Sequence, residues 1–347
     1  MALARRIQRT SRSDSLAACF LRLCTSTVIV NVLKMSKRKE FTMSRQTEKI
    51  FKELDKFIAE NSETPCESKE DMENMLNSFM SQSKPWENEI TEDNAESSDD
   101  YLELAESAAT KKTALKYAKK AVELDPDNLD ASVMVAELTT SSTEKLLEKY
   151  KNLIGKAREK LKAEGYFEDN CIGDFWDILE TRPYMRLLDK YSDSLVRCGK
   201  MRLAISEYEE MLRLCEGDNL GVRYRLMHLY AFLEDEMSAL KLCQNYSDEE
   251  STQFLLPLSI LYYKLGNLRE ANNYLRRLCA VNKDTLKFFN GLVKGDLDGY
   301  FKNMNSFGYR PFTIEEFFAE AEENLFLFAS VSAYFEWAWQ KIKTKNK

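Results

Sequence analysis

The chain has 347 residues, with 50 lysines and arginines against 57 aspartates and glutamates, a single histidine, and a formal net charge of −7. That balance argues against a nucleic-acid surface, because phosphate binding needs clustered cations. One histidine leaves no His-rich metal site and no second imidazole for catalysis. With only 11 Gly and 6 Pro, and no window of strand alternation bounded by turn residues, the chain reads as all-α.

Residues 1–34 carry Arg5, Arg6, Arg9, Arg12 and Arg22 against one acid, Asp14, and end in the apolar run TSTVIVNVL. Arg22 interrupts the apolar span, which falls short of the roughly 18–20 residues a membrane helix needs. Three readings stand: a mitochondrial-type presequence, a poor secretory signal, or a stretch upstream of a true start at Met35, where MSKRKEF opens ordinary polar sequence. The abrupt change of composition favours the third, and with it a cytoplasmic location; a genuine presequence would make it mitochondrial.

Residues 35–84 read as an N-terminal helical pair. Ile50, Phe51, Leu54, Phe57 and Ile58 make one apolar stripe, NSETPCESKED a turn with a cap, and Met72, Met75, Leu76 and Phe79 a second stripe. Residues 85–100 follow as an acidic linker, without Lys or Arg from Glu87 to Asp100, which predicts a solvated connection.

Residues 101–284 carry a repeat. In CGKMRLAISEYEEMLRL a Gly is followed by Ala204, Tyr208 and Met211, and in YYKLGNLREANNYLRRL Gly266 precedes Ala271, Leu275 and Leu278 at the same offsets. Ala239, Cys243 and Tyr246 form a weaker copy between them, so the small residues stand 35 and then 32 positions apart. An earlier copy has Ala114, Ala118 and Ala121 before Pro126. A small residue lets two helices cross closely, a larger one a turn later fills the groove, and Gly or Pro stops the helix. The preceding helices match: Leu188, Tyr191, Ser192 and Leu195 in one, Leu255, Leu258, Ser259 and Tyr262 in another, each set on one helical face. This is the pattern of a tetratricopeptide-like α-solenoid of antiparallel helix pairs, whose concave face holds another molecule. A longer helix is predicted over 143–163.

Two segments are sharper than the repeat: DFWDILETRPYMR at 174–186 and GDNLGVRYR at 217–225. They resemble the core of the suppressor-of-tumorigenicity family of tetratricopeptide proteins and its bacterial relatives, similar to FW-x-x-LETRPYMR followed by a repeat and DN-x-GVRY. The match uses Phe175, Trp176, Leu179, Glu180, Thr181, Arg182, Pro183, Tyr184, Met185 and Arg186, then Asp218, Asn219, Gly221, Val222, Arg223 and Tyr224. The resemblance covers roughly residues 100–285 and implies an interaction scaffold with no catalytic residues.

Read from the residues themselves, Pro183 suits a first helical turn and Thr181 its cap. Trp176 and Tyr184 then pack under that start, and Glu180 can pair with Arg182, Arg186 or Arg223. Two readings compete. One is a buried aromatic cluster with an ion pair that fixes how repeats dock, which the demand of every repeat for such a joint favours. The other is a patch gripping a carboxylate or phosphate, built from Arg182, Arg186, Arg223, Tyr224 and Arg225, with His228 on the same inner face.

Residues 285–347 are aromatic-rich, from Phe288 through Phe317 and Phe335 to Trp339, and predict a C-terminal helical cap covering the last apolar face. Acids in TIEEFFAEAEEN weigh against a membrane surface. No P-loop, G-x-G-x-x-G, H-E-x-x-H or G-x-S-x-G occurs, and the eight cysteines, without a C-x-x-C pair, read as reduced small hydrophobes. The expectation is a protein- or peptide-binding scaffold without catalysis, metal or cofactor, whose partner offers an acidic group. The alternative is a permanent structural or regulatory subunit of a larger assembly. Oligomeric state stays open.

Overall fold

The computed structural model describes residues 48–54, 56–58, 60–61, 69–81, 89–247, 250–294 and 309–345. Residues 1–34, most of the turn after residue 61, and residues 295–308 of the aromatic C-terminal region lie outside the described residues. Among the described residues all regular structure is helical; β pairing is confined to isolated bridges from Gly173 and Asp174 to Cys215. The chain forms two units, divided between Asn219 and Leu220.

In the N-terminal unit the described residues 48–54, 56–58 and 60 are helical, followed by α1 (Lys69–Ser81), α2 (Ser98–Ser107), α3 (Lys111–Leu124), α4 (Leu129–Thr139), α5 (Thr143–Ala163), a 3-10 turn (Leu179–Thr181), α6 (Arg182–Arg197) and α7 (Met201–Leu214). From α2 to α7 each helix packs on the next, and α2 also meets α4, as α4 meets α6. Close crossings fall on the small residues: Ala118, Ala121, Ala131 and Ala204 are fully buried, and Tyr208, Met211 and Leu214 fill the space beside the last. The predicted long helix is α5, 21 residues.

The acidic stretch ends differently from expectation. Ser97 caps α2 by accepting from the Asp100 N–H while Asp100 accepts from the Ser97 N–H, a capping box, so Asp99 and Asp100 form a first helical turn. Upstream, Glu92 accepts from Lys116 and Tyr117 of α3. The N-terminal stripes are also only partly covered. Phe57 and Phe79 are buried against each other, ring centroids 5.6 Å apart, but Phe51, Ile58, Leu76 and Met80 remain between 42% and 50% exposed.

The C-terminal unit has α8 (Val222–Leu233), α9 (Glu236–Asn245), α10 (Thr252–Lys264), α11 (Leu268–Val281), α12 (Thr285–Lys294), α13 (Ile314–Glu323), α14 (Leu325–Ser330) and α15 (Ser332–Lys345). Again α8 packs on α9 and α10, and α10 on α11. The repeat turn explains the uneven copies. Gly199 and Gly266 sit at φ 71° and 77° with the next N–H closing back five residues, Lys200 to the Leu195 carbonyl and Asn267 to the Tyr262 carbonyl, each 2.9 Å. The middle copy puts Glu234 at φ 59° in the same turn, with Asp235 N–H to Tyr230 at 2.9 Å. In that copy Leu242, not Cys243, is buried beside Ala239.

Helices α12, α13 and α15 cover the end of α10–α11 with a continuous aromatic core: Phe288 stacks on Phe317 at 4.5 Å, and Phe289 meets Tyr334 and Phe335. Tyr334 donates to the Ser259 hydroxyl, which in turn donates to the Ala271 carbonyl, each at 2.8 Å, so the small-residue crossing is tied to the terminal helices.

Candidate functional site

Between α2, α4, α5 and α6 of the N-terminal unit lies a cavity of about 810 Å³. Carboxylates predominate on its walls. Asp99, Glu103, Glu106, Asp127, Asp130, Glu164 and Glu180 are among ten acids there, against five cations: Lys49, Lys52, Lys156, Lys160 and Arg186. Four of those cations already face acids of the unit, Lys49 toward Glu103, Lys52 toward Asp99, Lys160 toward Asp127 and Arg186 toward Asp130.

Arg186 is the most deeply placed charge of the cavity wall. Its α6 position turns it inward, as its register predicts, yet its side chain is only 5% exposed. The guanidinium grips Asp130 with two bonds, Nε to Oδ1 at 3.1 Å and Nη2 to Oδ2 at 2.5 Å, and donates Nη1 to Glu48 Oε1 at 2.5 Å. Burial would lower its pKa, but Asp130 and Glu48 outweigh burial and hold it above the ordinary arginine value. The acidic group expected from a ligand is thus met by carboxylates of the chain itself, one 138 residues away in sequence. Asp130 stands in the first turn of α4, whose Asn128 cap accepts from the Ala131 N–H.

Arg182 serves the joint. Its Nε donates to the Trp176 carbonyl at 2.5 Å and its guanidinium lies 5.6 Å from the Trp176 ring. Tyr184 is buried, edge-on to Phe167 at 6.0 Å and Phe175 at 6.5 Å, and burial pushes its phenol up to about 12. Pro183 occupies the first turn of α6 as expected. Thr181 departs from expectation: its hydroxyl makes no cap bond and instead donates to the Phe175 and Ile178 carbonyls, pinning the preceding loop. Glu180 also departs, being exposed on the cavity wall while Glu48 and Asp130 take Arg186. Gly173 and Phe175 donate to the Leu214 carbonyl at 3.1 and 3.0 Å, so the first signature is stapled to the end of α7.

The remaining candidates form a separate cluster in the C-terminal unit. Gly221, at φ 65°, starts α8, and a Cβ there would press within 3.3 Å of the Tyr224 ring. Arg223 lies over the rings of Tyr224 and Tyr246, at 4.2 and 5.1 Å, and donates to the Tyr224 hydroxyl. Arg225, on the next position of α8, is half-buried. His228 is fully buried, which removes it from any open groove: Nδ1 donates to the Tyr224 carbonyl at 2.8 Å and Nε2 lies 3.0 Å from Glu320 Oε2. Phe328 stacks on its ring.

Among the described residues no group of His, Cys, Asp and Glu is arranged to hold a metal ion, and no helix is long and apolar enough to cross a membrane. No family model matches the chain, and no curated protein matches it significantly.

Proposed function

We propose that the chain is a tetratricopeptide-like scaffold, related to the suppressor-of-tumorigenicity core, that binds a protein or peptide on the concave side of its helix pairs and carries out no chemistry. The observation that carries this reading is the acid-walled cavity built where α2, α4 and α6 meet in succession. First helices that contact one another in succession are how repeats of this class create a concave face, and here the second helix α5 also borders the cavity, through Leu153, Lys156 and Lys160. Buried Ala crossings and the αL turn repeated at residues 199, 234 and 266 support antiparallel pairs of that type. The wall charge changes the chemistry of the expected partner, from one offering acids to one offering cations. A cytoplasmic setting goes with this reading.

The test is affinity capture from the native cell extract with the intact chain and with Asp99→Lys/Glu103→Lys, both checked for helicity. Partners retained by the wild type and lost with the variant support a cavity-mediated scaffold; identical sets sink it. A second reading, the permanent subunit, draws on the exposed Phe51, Ile58, Leu76 and Met80. It predicts stoichiometric co-purification that charge reversal in the cavity leaves untouched.

A further inference from the structure

The helical residues 48–54 border the cavity and are held to it by charge. Glu48 accepts from Arg186 at 2.5 Å, Lys49 lies 3.5 Å from Asp100 and 3.6 Å from Glu103, and Lys52 pairs with Asp99 at 2.6 Å. Residues i, i+1 and i+4 span about 100° of a helix, so the three side chains reach the unit from one face. The apolar residues of the same stretch are unevenly covered: Ile50 and Leu54 are half-buried, Phe57 packs on Phe79 of α1, and Phe51 and Ile58 stay more than 40% exposed.

Such docking is easily undone. Lys52 and Asp99 are each 52% exposed, and pairs that open to water contribute little. The buried contacts are those of Glu48, 11% exposed, with Arg186 at 2.5 Å and, at a longer 3.8 Å, with Arg182. When Glu48 withdraws, Arg186 remains gripped through two bonds by Asp130, so the receiving guanidinium keeps its place and its compensating charge. A receptor already ordered in this way spends little to accept a replacement.

Resting on the scaffold reading, we propose that this face recognises a helix bearing Glu, Lys one residue later and Lys four residues later, and that Glu48, Lys49 and Lys52 are an internal copy which a partner segment of the same pattern displaces. Arg186 takes the carboxylate, and the row Asp99, Asp100 and Glu103 takes the two ammonium groups. The excess of acids on the cavity wall matches a segment whose contacting face is net cationic.

The probe is a fluorescently labelled synthetic peptide, EKIFKELDKFIAEN, corresponding to residues 48–61, titrated into the full chain by anisotropy. In the Glu48→Ala chain the internal copy loses its buried contact, so the peptide is expected to bind at least tenfold tighter than to the wild type. A peptide with Lys49→Glu and Lys52→Glu is expected to bind the same chain at least tenfold more weakly. Amide exchange at residues 48–54 is expected to rise in the Glu48→Ala chain while α6 stays protected, which shows the unit folded. Equal affinity for the two peptides, or no binding of the native peptide to a folded Glu48→Ala chain, overturns the proposal. If that happens while capture still depends on Asp99 and Glu103, the internal copy is wrong and the scaffold stands; if capture also fails, both fall.

Discussion

Replacing Arg186 by Ala separates the two roles that its position in α6 allows. Its guanidinium makes three bonds to two carboxylates, with 5% of its own side chain and 11% of each partner exposed. Removing one member of a buried ion pair leaves the other charge uncompensated and costs about 3–5 kcal/mol. Glu48 and Asp130 keep some contact with water, so the expected loss is at the lower end, about 3 kcal/mol. A solvent-facing binding arginine would lose no more than about 0.5 kcal/mol. Urea denaturation followed by far-UV circular dichroism reads the difference. At a slope of about 3 kcal/mol per molar urea the midpoint should fall by about 1 M. A companion chain with Arg186→Met, Glu48→Gln and Asp130→Asn should regain most of the loss, because no bare charge is left. A loss under about 1 kcal/mol in Arg186→Ala would refute the buried joint and restore Arg186 as an open ligand residue.

Glu234 occupies a left-handed turn that glycine fills in the copies on either side, so Glu234→Gly should stabilise the C-terminal unit by about 0.5–1 kcal/mol, read as a higher thermal midpoint. Its long 3.5 Å contact with Lys264, exposed on the Glu234 side, offers little to offset the gain. Ala204 is fully buried at a helix crossing, and Ala204→Leu should cost about 1–3 kcal/mol by overpacking, measured by the same denaturation; an unchanged midpoint would mean that α6 and α7 do not meet there. Burial raises the Glu316 carboxyl above its ordinary value, with Glu320 adding to the effect and the Thr252 hydroxyl, Phe312 N–H and Asn282 amide opposing it. A folded pKa above the unfolded one means a contribution fully present below the unfolded value and lost as pH rises through the folded value. Glu316→Gln should therefore melt higher than the wild type at pH 8, with the difference closing toward pH 4. A variant melting lower at pH 8 would contradict that assignment.

Much of the helical order was legible because it rests on local rules. Ala204 and Ala271, their one-turn neighbours, and Gly199 and Gly266 are spaced by the chain itself, and each is buried or turned as that spacing demands. The middle copy was faint for a physical reason, since Glu234 accepts the strained turn without the glycine that marks it. Register also turned Arg186 inward, but no periodicity announces that Glu48, 138 residues earlier, meets it. The capping box at Ser97 was masked by the surrounding acids, which suit both a solvated linker and the first turn of a helix. His228 reads from its register as facing inward, but its full burial depends on Glu320 and Phe328, from a region where the repeat has faded.

The concave-face claim is tested most directly by amide hydrogen exchange on the intact chain with and without a partner identified by capture. Slowed exchange is expected in the first turns of α2, α4 and α6, around Asp99, Asp130 and Arg186, with faster exchange at residues 48–54 as the internal copy leaves. Protection confined to α3 and α7, with residues 48–54 unchanged, would contradict that claim.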